Sequence, residues 1–139
     1  MNYLLDTCVV SELVKPKPNS KIFEWIRNCH EQNLFLSSLT IGEIKKGISK
    51  LSESKKKRNL MHWLENDLLQ RFNQRILAID VSVALAWGDI LSSCEKKGIQ
   101  VPVIDGLIAS TAMVHGMTVV TRNIEDIEPS GVLVYNPWK

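Results

Sequence analysis

Apolar residues along this chain fall into short continuous runs that alternate with longer segments of mixed character. The short runs are typical of buried strands, and they predict five of them, at residues 3–5, 34–36, 75–80, 118–121 and 132–135. The longer segments carry apolar residues at helical spacing, and Gly98 and Gly116 stand where two of the helices should end. Strands that alternate with helices predict an α/β domain whose central sheet is mainly parallel.

The mixed segments predict helices at residues 20–30, after Thr40, at 57–71, at 81–97 and at 104–115. Ser20 follows a proline-rich break and is the expected N-cap of the first of these. The buried side of that helix is predicted to carry the apolar residues Ile22, Phe23, Trp25 and Ile26. Trp87 is expected in the core. There is no internal repeat and no linker, so residues 1–139 should form one domain.

Composition narrows the class of protein. With 139 residues and 45% apolar content, the chain is long enough for a packed core and is not disordered. No apolar run approaches the ~20 residues of a membrane span, and Asp6 interrupts the first run too early for a signal peptide. The three cysteines are scattered, which suits reduced thiols in a cytoplasmic protein. A net charge of +2 is too mild to predict nucleic-acid binding by itself.

Asp6 ends the first predicted strand abruptly. In open α/β sheets, ligands bind beyond the carboxyl ends of the strands, so this carboxylate is a candidate site residue. The alternative interpretation is that Asp6 only caps a helix that begins near Val9, because Asp is a favoured N-cap. The residues around Asp6 are consistent with either role.

Two further acids have the same double interpretation. Glu43 follows the second predicted strand closely, yet the stretch from Thr40 to Glu43 also has the Thr-x-x-Glu spacing of a capping box. Asp105 lies in a strongly apolar stretch, where a buried carboxylate needs a partner, yet it also suits the first turn of a helix. A parallel sheet would bring Glu43 to the same end as Asp6, and a metal ion or a network of hydrogen-bond donors is the natural partner for Asp105.

The residues after the fourth predicted strand supply two more candidates, Asn123 and Asp126. Ordinary turn chemistry would explain either one alone. Together with the three acids, however, they all fall at one end of one predicted sheet. Carboxylates gathered there would raise each other's pKa values unless a cation lay among them, and hard oxygen ligands suit Mg²⁺ or Mn²⁺. An ion of this kind can activate water and stabilise charge on a phosphoryl group.

Four stretches, in this order, carry a resemblance to a known family: residues 4–12 (LLDTCVVSE), 38–44 (SLTIGEI), 105–112 (DGLIASTA) and 119–126 (VVTRNIED). With them the chain resembles the PIN-domain ribonucleases of the VapC type, the toxins of bacterial type II toxin–antitoxin pairs. The resemblance implies a three-layer α/β/α domain, dependence on Mg²⁺ or Mn²⁺, and endonucleolytic RNA cleavage that inhibits translation, with tRNA a frequent substrate. It also implies a homodimer and a cognate VapB-type antitoxin whose C-terminal segment blocks the site.

The resemblance also assigns roles to the candidate residues. Asp6 and Asp105 would hold the metal, and Glu43 would help to bind it or accept a proton from the attacking water. Many relatives have an acid where this chain has Asn123. Asn123 would therefore ligate the metal or orient water, and Asp126 is the candidate substitute for the missing acid.

A basic run between Lys45 and Arg58 supplies candidate RNA-binding residues. Lys45 and Lys46 share a predicted helix with Glu43, and Arg122 stands beside the candidate site. A solvated helix face is the usual role of such a run, and contact with the RNA backbone is the alternative.

Other classes of protein fit these residues less well. Phosphatases with an aspartyl nucleophile need a second acid two residues after the first, where this chain has Cys8. A receiver domain needs its phosphoacceptor after a middle strand. The remaining alternative is a catalytically weak interaction module, in which a PIN-like fold binds a partner protein and the missing fourth acid has removed the activity.

Overall fold

Five short strands form the central sheet. In chain order they are β1 Tyr3–Leu5, β2 Leu34–Ser37, β3 Ile76–Leu77, β4 Thr118–Val120 and β5 Val134–Tyr135. The computed structural model describes residues 1–139, and its sheet order is β3-β2-β1-β4-β5. Every pair of neighbouring strands is parallel, which confirms the predicted α/β class and parallel sheet.

Helices cover both faces of the sheet and complete a three-layer α/β/α arrangement. In chain order they are α1 Thr7–Leu13, α2 Ser20–Asn28, α3 Ser38–Ser49, α4 Lys55–His62, α5 Leu69–Arg71, α6 Val81–Lys96, α7 Val103–His115 and α8 Ile124–Ile127. A π-helical turn at Trp63–Leu68 joins α4 to α5, so one helical segment occupies roughly the predicted range 57–71. None of these helices combines the length and the apolar character needed to cross a membrane.

The central strand β1 supplies side chains to both layers of the core. Leu5 packs with Ile22 and Ile44 in one buried cluster, whereas Leu4 packs with Ile108 in the other. Successive side chains of a strand point to opposite faces of the sheet, so a strand that is covered on both sides must be apolar throughout. This requirement explains why the start of the chain is a continuous apolar run.

The register of the sheet brings the carboxyl ends of strands β1 and β4 together. Leu5 lies opposite Val120, so the next residues, Asp6 and Thr121, leave the sheet side by side. The N–H of Asp6 donates to the carbonyl of Val120 at 2.9 Å and extends the ladder by one bond. Since β2 also runs parallel to β1, the helices α1 and α3 both begin at this edge of the sheet.

Several boundaries differ from the predicted ones by a few residues. Asn19, not Ser20, is the N-cap of α2, because its side chain accepts hydrogen bonds from two N–H groups of the first turn. Strand β3 is shorter than predicted, because Asp80 already caps α6, and β5 covers only the last two residues of its predicted range. Gly116 ends α7 as predicted, with the left-handed φ of 67° that favours glycine there.

Two of the predicted burials are wrong. Phe23 is 48% exposed, because the buried residues of α2 are Ile22 and Ile26, and each residue turns about 100° around a helix from its neighbour. A side chain directly after Ile22 therefore points away from the core. Trp87 is half-buried instead of lying inside the core.

Candidate active site

Asp6 lies at the carboxyl end of β1 and is only 5% exposed. Its Oδ1 accepts a hydrogen bond from the N–H of Thr7 at 2.8 Å, and its Oδ2 accepts one from the hydroxyl of Thr121 at 2.8 Å. The first bond makes Asp6 the N-cap of α1, as the capping interpretation predicts. The second bond comes from the end of β4 and fixes the carboxylate at the edge of the sheet. Asp6 therefore both caps a helix and belongs to the candidate site.

Glu43 does not belong to a capping box. Helix α3 begins directly after Ser37, whose side chain is the N-cap, so Thr40 is already inside the helix. The capping-box interpretation is wrong because a favourable N-cap residue precedes Thr40 and starts the helix earlier. Glu43 instead accepts a hydrogen bond at its Oε1 from the hydroxyl of Thr7, at 2.6 Å.

Thr7 links the first two acids. Its N–H donates to Asp6 and its hydroxyl donates to Glu43, while its Oγ1 also lies 3.2 Å from Oγ1 of Thr40. A hydroxyl has a single proton, and the shorter bond gives that proton to Glu43. Thr40 is fully buried, and its Oγ1 faces the Oγ1 of Thr7 within hydrogen-bond distance. One residue thus holds two carboxylates that come from different elements.

Asp105 lies in the first turn of α7, where the helix N-terminus should favour a charged carboxylate. The pKa of Asp105 is nevertheless raised to about 6, by burial and then by the negative charges of Asp6, Asp126 and Glu43. Burial, together with repulsion among the acids gathered at this edge of the sheet, outweighs the favourable effect of the helix N-terminus. None of them takes part in any of the five ion pairs of the molecule.

The loop after β4 places the last two candidates at the rim of this edge. The N–H of Asn123 donates to Oγ1 of Thr121 at 2.9 Å, and the Asn123 side chain is exposed and caps nothing. Asp126 is exposed on α8 and acts on Asp105 through its charge. No three side chains of His, Cys, Asp or Glu stand close enough together to ligate one metal ion directly.

Comparisons with known proteins agree with this arrangement. The family model of the PIN domain matches residues 3–126. The chain belongs to the PIN-domain family. This confirms the resemblance inferred from its four motifs.

Two relatives and one solved structure are similar to this PIN domain over nearly their whole length. Toxin FitB of Neisseria gonorrhoeae is 37% identical over 135 residues, 97% of each chain. The VapC ribonuclease Y4jK of Sinorhizobium fredii is 31% identical over 136 residues, 98% of this chain and 97% of that protein. The solved structure of FitAB bound to an IR36 DNA fragment is 36% identical, with a TM-score of 0.94, and covers 99% of this chain and 96% of that one.

Two hydroxyl residues of this PIN domain were missed in the sequence. Thr7 and Thr121 hold Asp6 and Glu43 in place, but neither is a titratable or ligand-type residue that attracts notice. Their position was the available signal, since Thr7 directly follows Asp6 and Thr121 stands at the end of a strand. A hydroxyl next to a carboxylate at a strand end is a natural positioning group.

Cys8 also lies inside this edge of the PIN domain. Its Sγ is 3.8 Å from Oδ2 of Asp6 and accepts a hydrogen bond from the N–H of Arg122 at 3.5 Å. Burial, with a further contribution from the charge of Asp6, raises the pKa of the Cys8 thiol above its ordinary value. The thiol therefore keeps its proton and donates to Oδ2 of Asp6.

Two grooves meet at Glu43, one on each side of α3. The apolar groove, of about 270 Å³, is lined by Thr7 and Glu43 and by apolar side chains, among them Val14 just after α1, Leu60 of α4 and Trp63 of the π-helical turn. The basic groove, of about 460 Å³, is lined by Gly42, Glu43, Lys46, Gly47, Lys50 and Ile104. The same carboxylate therefore stands at the junction of two surfaces of opposite character.

The predicted RNA-binding residues lie in different places. Lys46 lines the basic groove, whereas Nζ of Lys45 lies 3.1 Å from Sδ of Met61, on the side of α4. The guanidinium of Arg122 lies over the ring of Trp138, with 4.3 Å between its Cζ and the ring centroid. This stacking orients the guanidinium of an exposed residue against the ring of Trp138.

Proposed function

We propose that this PIN domain is a metal-dependent endoribonuclease that acts as the toxin of a type II toxin–antitoxin pair. The observation that carries the proposal is the edge of the sheet, where Asp6, Glu43 and Asp105 have no cationic side-chain partner and the pKa of Asp105 is raised to about 6. The named relatives include a VapC ribonuclease and a toxin. PIN-domain ribonucleases are generally dependent on a divalent metal.

The side chains at this edge fit a hard divalent cation. Three carboxylates and the amide oxygen of Asn123 are the oxygen ligands that Mg²⁺ and Mn²⁺ prefer. Mg²⁺ usually keeps several waters and uses one or two carboxylates, which suits acids that are not packed into a direct three-ligand cluster. A cation would also offset the repulsion that raises the pKa of Asp105.

In the proposed reaction each residue has one task. Asp6 and Asp105 would hold the ion, which when bound would supply an activated water and a positive charge for the phosphoryl oxygens. Thr121 fixes one oxygen of Asp6, so the carboxylate does not rotate away. Thr7 engages Oε1 of Glu43, which leaves Oε2 to accept the proton of the attacking water.

The proposal includes RNA as the substrate and a VapB-type antitoxin as the partner of a homodimer. Among the solved structures similar to this chain are toxin–antitoxin complexes. The apolar groove supports a protein partner, because apolar walls suit a protein segment and the groove ends at Glu43 and Thr7. A segment seated there would cover a catalytic carboxylate. Because tRNA is a frequent substrate in the family that the motifs resemble, it is the first RNA to test.

The test is cleavage of tRNA and of unstructured RNA by the purified chain with Mn²⁺ or Mg²⁺. We expect cleavage that a chelator abolishes, and a loss of at least about 100-fold in the variant Asp6→Asn. Asn is also a favoured N-cap, so this variant should keep the cap of α1 and unfold at nearly the wild-type temperature.

Asp89→Asn is the matched control, because Asp89 is exposed on α6 and makes no ion pair. It should cleave at the wild-type rate. Wild-type activity in Asp6→Asn would overturn the site assignment. Absence of cleavage by the wild type with either metal would reject the nuclease and favour the interaction module.

A further inference from the structure

Lys46 on the exposed face of α3 and Lys50 at its C-cap are two lysines without partners. Lys46 and Lys50 both line the basic groove, both are exposed, and neither takes part in an ion pair or a side-chain hydrogen bond. They stand one helical turn apart, about 6 Å along the axis, on the face that Glu43 begins. Their charges therefore extend in a line away from the carboxylates.

The other lysines of the basic run have different surroundings. Lys45 is next to Met61, and Lys57 is paired with Glu53 at 2.8 Å. Lys56 lines the apolar groove instead. The fold thus places the lysines of a run that looks uniform in sequence in different surroundings. Of that run, only Lys46 and Lys50 line the basic groove, together with Glu43 of the candidate site.

The floor of the basic groove has no side chains at Gly42 and Gly47. Glycine is unfavourable inside a helix, and neither glycine has a positive φ that would require it. A Cβ atom built at either position would meet nothing within 4 Å, so packing within this chain does not require glycine there either. The bare floor leaves room for another backbone to approach α3 closely.

We infer that the sugar-phosphate backbone of the RNA lies in the basic groove, with successive phosphates at Lys46 and Lys50 and the scissile phosphate beyond Glu43. The inference rests on the proposed ribonuclease function and assigns the path of its substrate. Charge complementarity selects the occupant, because two unpaired ammonium groups over a flat floor attract a polyanion. The apolar groove on the other side of α3 offers one lysine and mostly apolar walls.

The experiment measures how the affinity for a fluorescein-labelled single-stranded oligoribonucleotide depends on salt. The Asp6→Asn background keeps the RNA intact. Each phosphate contact of a single strand contributes about 0.7 to the slope of log affinity against log salt, so Lys46→Ala/Lys50→Ala should lower the slope by about 1.4. In the active chain, the same pair of changes should raise KM more than it lowers kcat.

Lys96→Ala/Lys97→Ala is the matched control, since these exposed lysines at the end of α6 line neither groove. An unchanged slope in Lys46→Ala/Lys50→Ala, or an equal loss in Lys45→Ala, would overturn the path. A slope change that comes with a change of oligomeric state would also overturn it, because the face would then be an interface between copies. Failure of the wild type to cleave RNA is a separate result, and it would reject the ribonuclease function instead.

Discussion

The two sides of α3 present opposite chemistry within one short helix. The apolar groove collects Val14, Leu60 and Trp63 around its cavity, whereas the basic groove offers Lys46 and Lys50 over a floor without side chains. Apolar walls suit a protein segment, and paired ammonium groups suit a phosphate backbone.

The difference matters because both grooves end at the same carboxylate. Glu43 lines both cavities, and Thr7 holds it by a hydrogen bond of 2.6 Å. A partner in one groove and a substrate in the other would therefore compete for the catalytic edge without sharing most of their contacts. Inhibition and cleavage should then be separable by mutation.

Among changes that separate the two grooves, the largest effect is expected in the apolar groove. Leu60→Gln replaces a half-buried side chain of the groove wall with a polar one. We expect the affinity for the antitoxin to fall about tenfold or more, because a buried apolar anchor contributes a large share of binding energy. A tenfold loss of affinity corresponds to about 1.4 kcal/mol of binding free energy. RNA cleavage should stay within about threefold of the wild-type rate, because the substitution changes only contacts with the partner. The measurement is titration of RNA cleavage with the cognate VapB-type antitoxin.

Leu85→Gln is the control for this prediction, because Leu85 is 68% exposed on α6 and lines neither groove. Retained cleavage reports that Leu60→Gln is folded. If the antitoxin inhibits Leu60→Gln at the same concentration as the wild type, the antitoxin does not bind in the apolar groove, and the proposed division between the two grooves is wrong.

A smaller effect concerns the junction of the two grooves. The pKa of Asp105 in the folded chain is about 6, above the ordinary value of 3.8, so the folded state binds the extra proton between these pH values. Stability without metal should therefore fall as pH rises from about 4 to 6 and stay low above that. Asp105→Asn should remove this pH-dependent loss of stability, because asparagine carries no charge. At pH 7.5 it should unfold at a temperature about 3 °C higher than the wild type, or about 1 kcal/mol after allowance for solvent screening.

Thermal unfolding at several pH values checks this prediction. The two chains should converge near pH 4, where the wild-type carboxyl is protonated. Adding Mn²⁺ at pH 7.5 should stabilise the wild type and leave Asp105→Asn nearly unchanged, because a ligand that binds only the folded state raises its stability. A wild type more stable than Asp105→Asn at pH 7.5 without metal would mean that other side chains neutralise the edge.

Most residues of the candidate site could be predicted from the sequence, because the parallel topology of the sheet brings the acids that follow its strands together. Parallel strands have their carboxyl ends at one edge, so acids that follow β1 and β2 had to approach one another. These strands were recognisable as continuous apolar runs, because successive side chains such as Leu4 and Leu5 pack into the two opposite layers of the core. Asp105 follows no strand, and its candidacy came from an apolar stretch in which a carboxylate needs a partner; burial and then the charges of the other acids raise its pKa.

The contacts that hold the site were not accessible, because they join residues far apart in sequence. The bond from Thr121 to Asp6 and the bond from Thr7 to Glu43 depend on strand register and helix start, which pattern fixes only to within a few residues. The capping box failed for the same reason, since Ser37 competed as an N-cap and started α3 earlier. The separation of Lys45 from Lys46 likewise depends on the packing of α4 against α3.

The smallest effect tests the bare floor of the basic groove. Gly42→Ala should raise the free energy of unfolding by about 0.5–1 kcal/mol, because alanine favours the helix and its Cβ meets nothing within 4 Å. The same methyl group should lower RNA cleavage several-fold, because it stands where the RNA backbone is expected to approach.

Gly88→Ala on α6 is its control, with the same open surroundings but no place in either groove. Chemical denaturation and cleavage rates should show both variants stabilised and only Gly42→Ala slowed. If Gly42→Ala is stabilised and fully active, the floor of the groove is not in contact with RNA, and the glycine has no role in the basic groove. If it is slowed while antitoxin affinity is unchanged, the two sides of α3 act on different molecules, because Gly42 lines the basic groove alone.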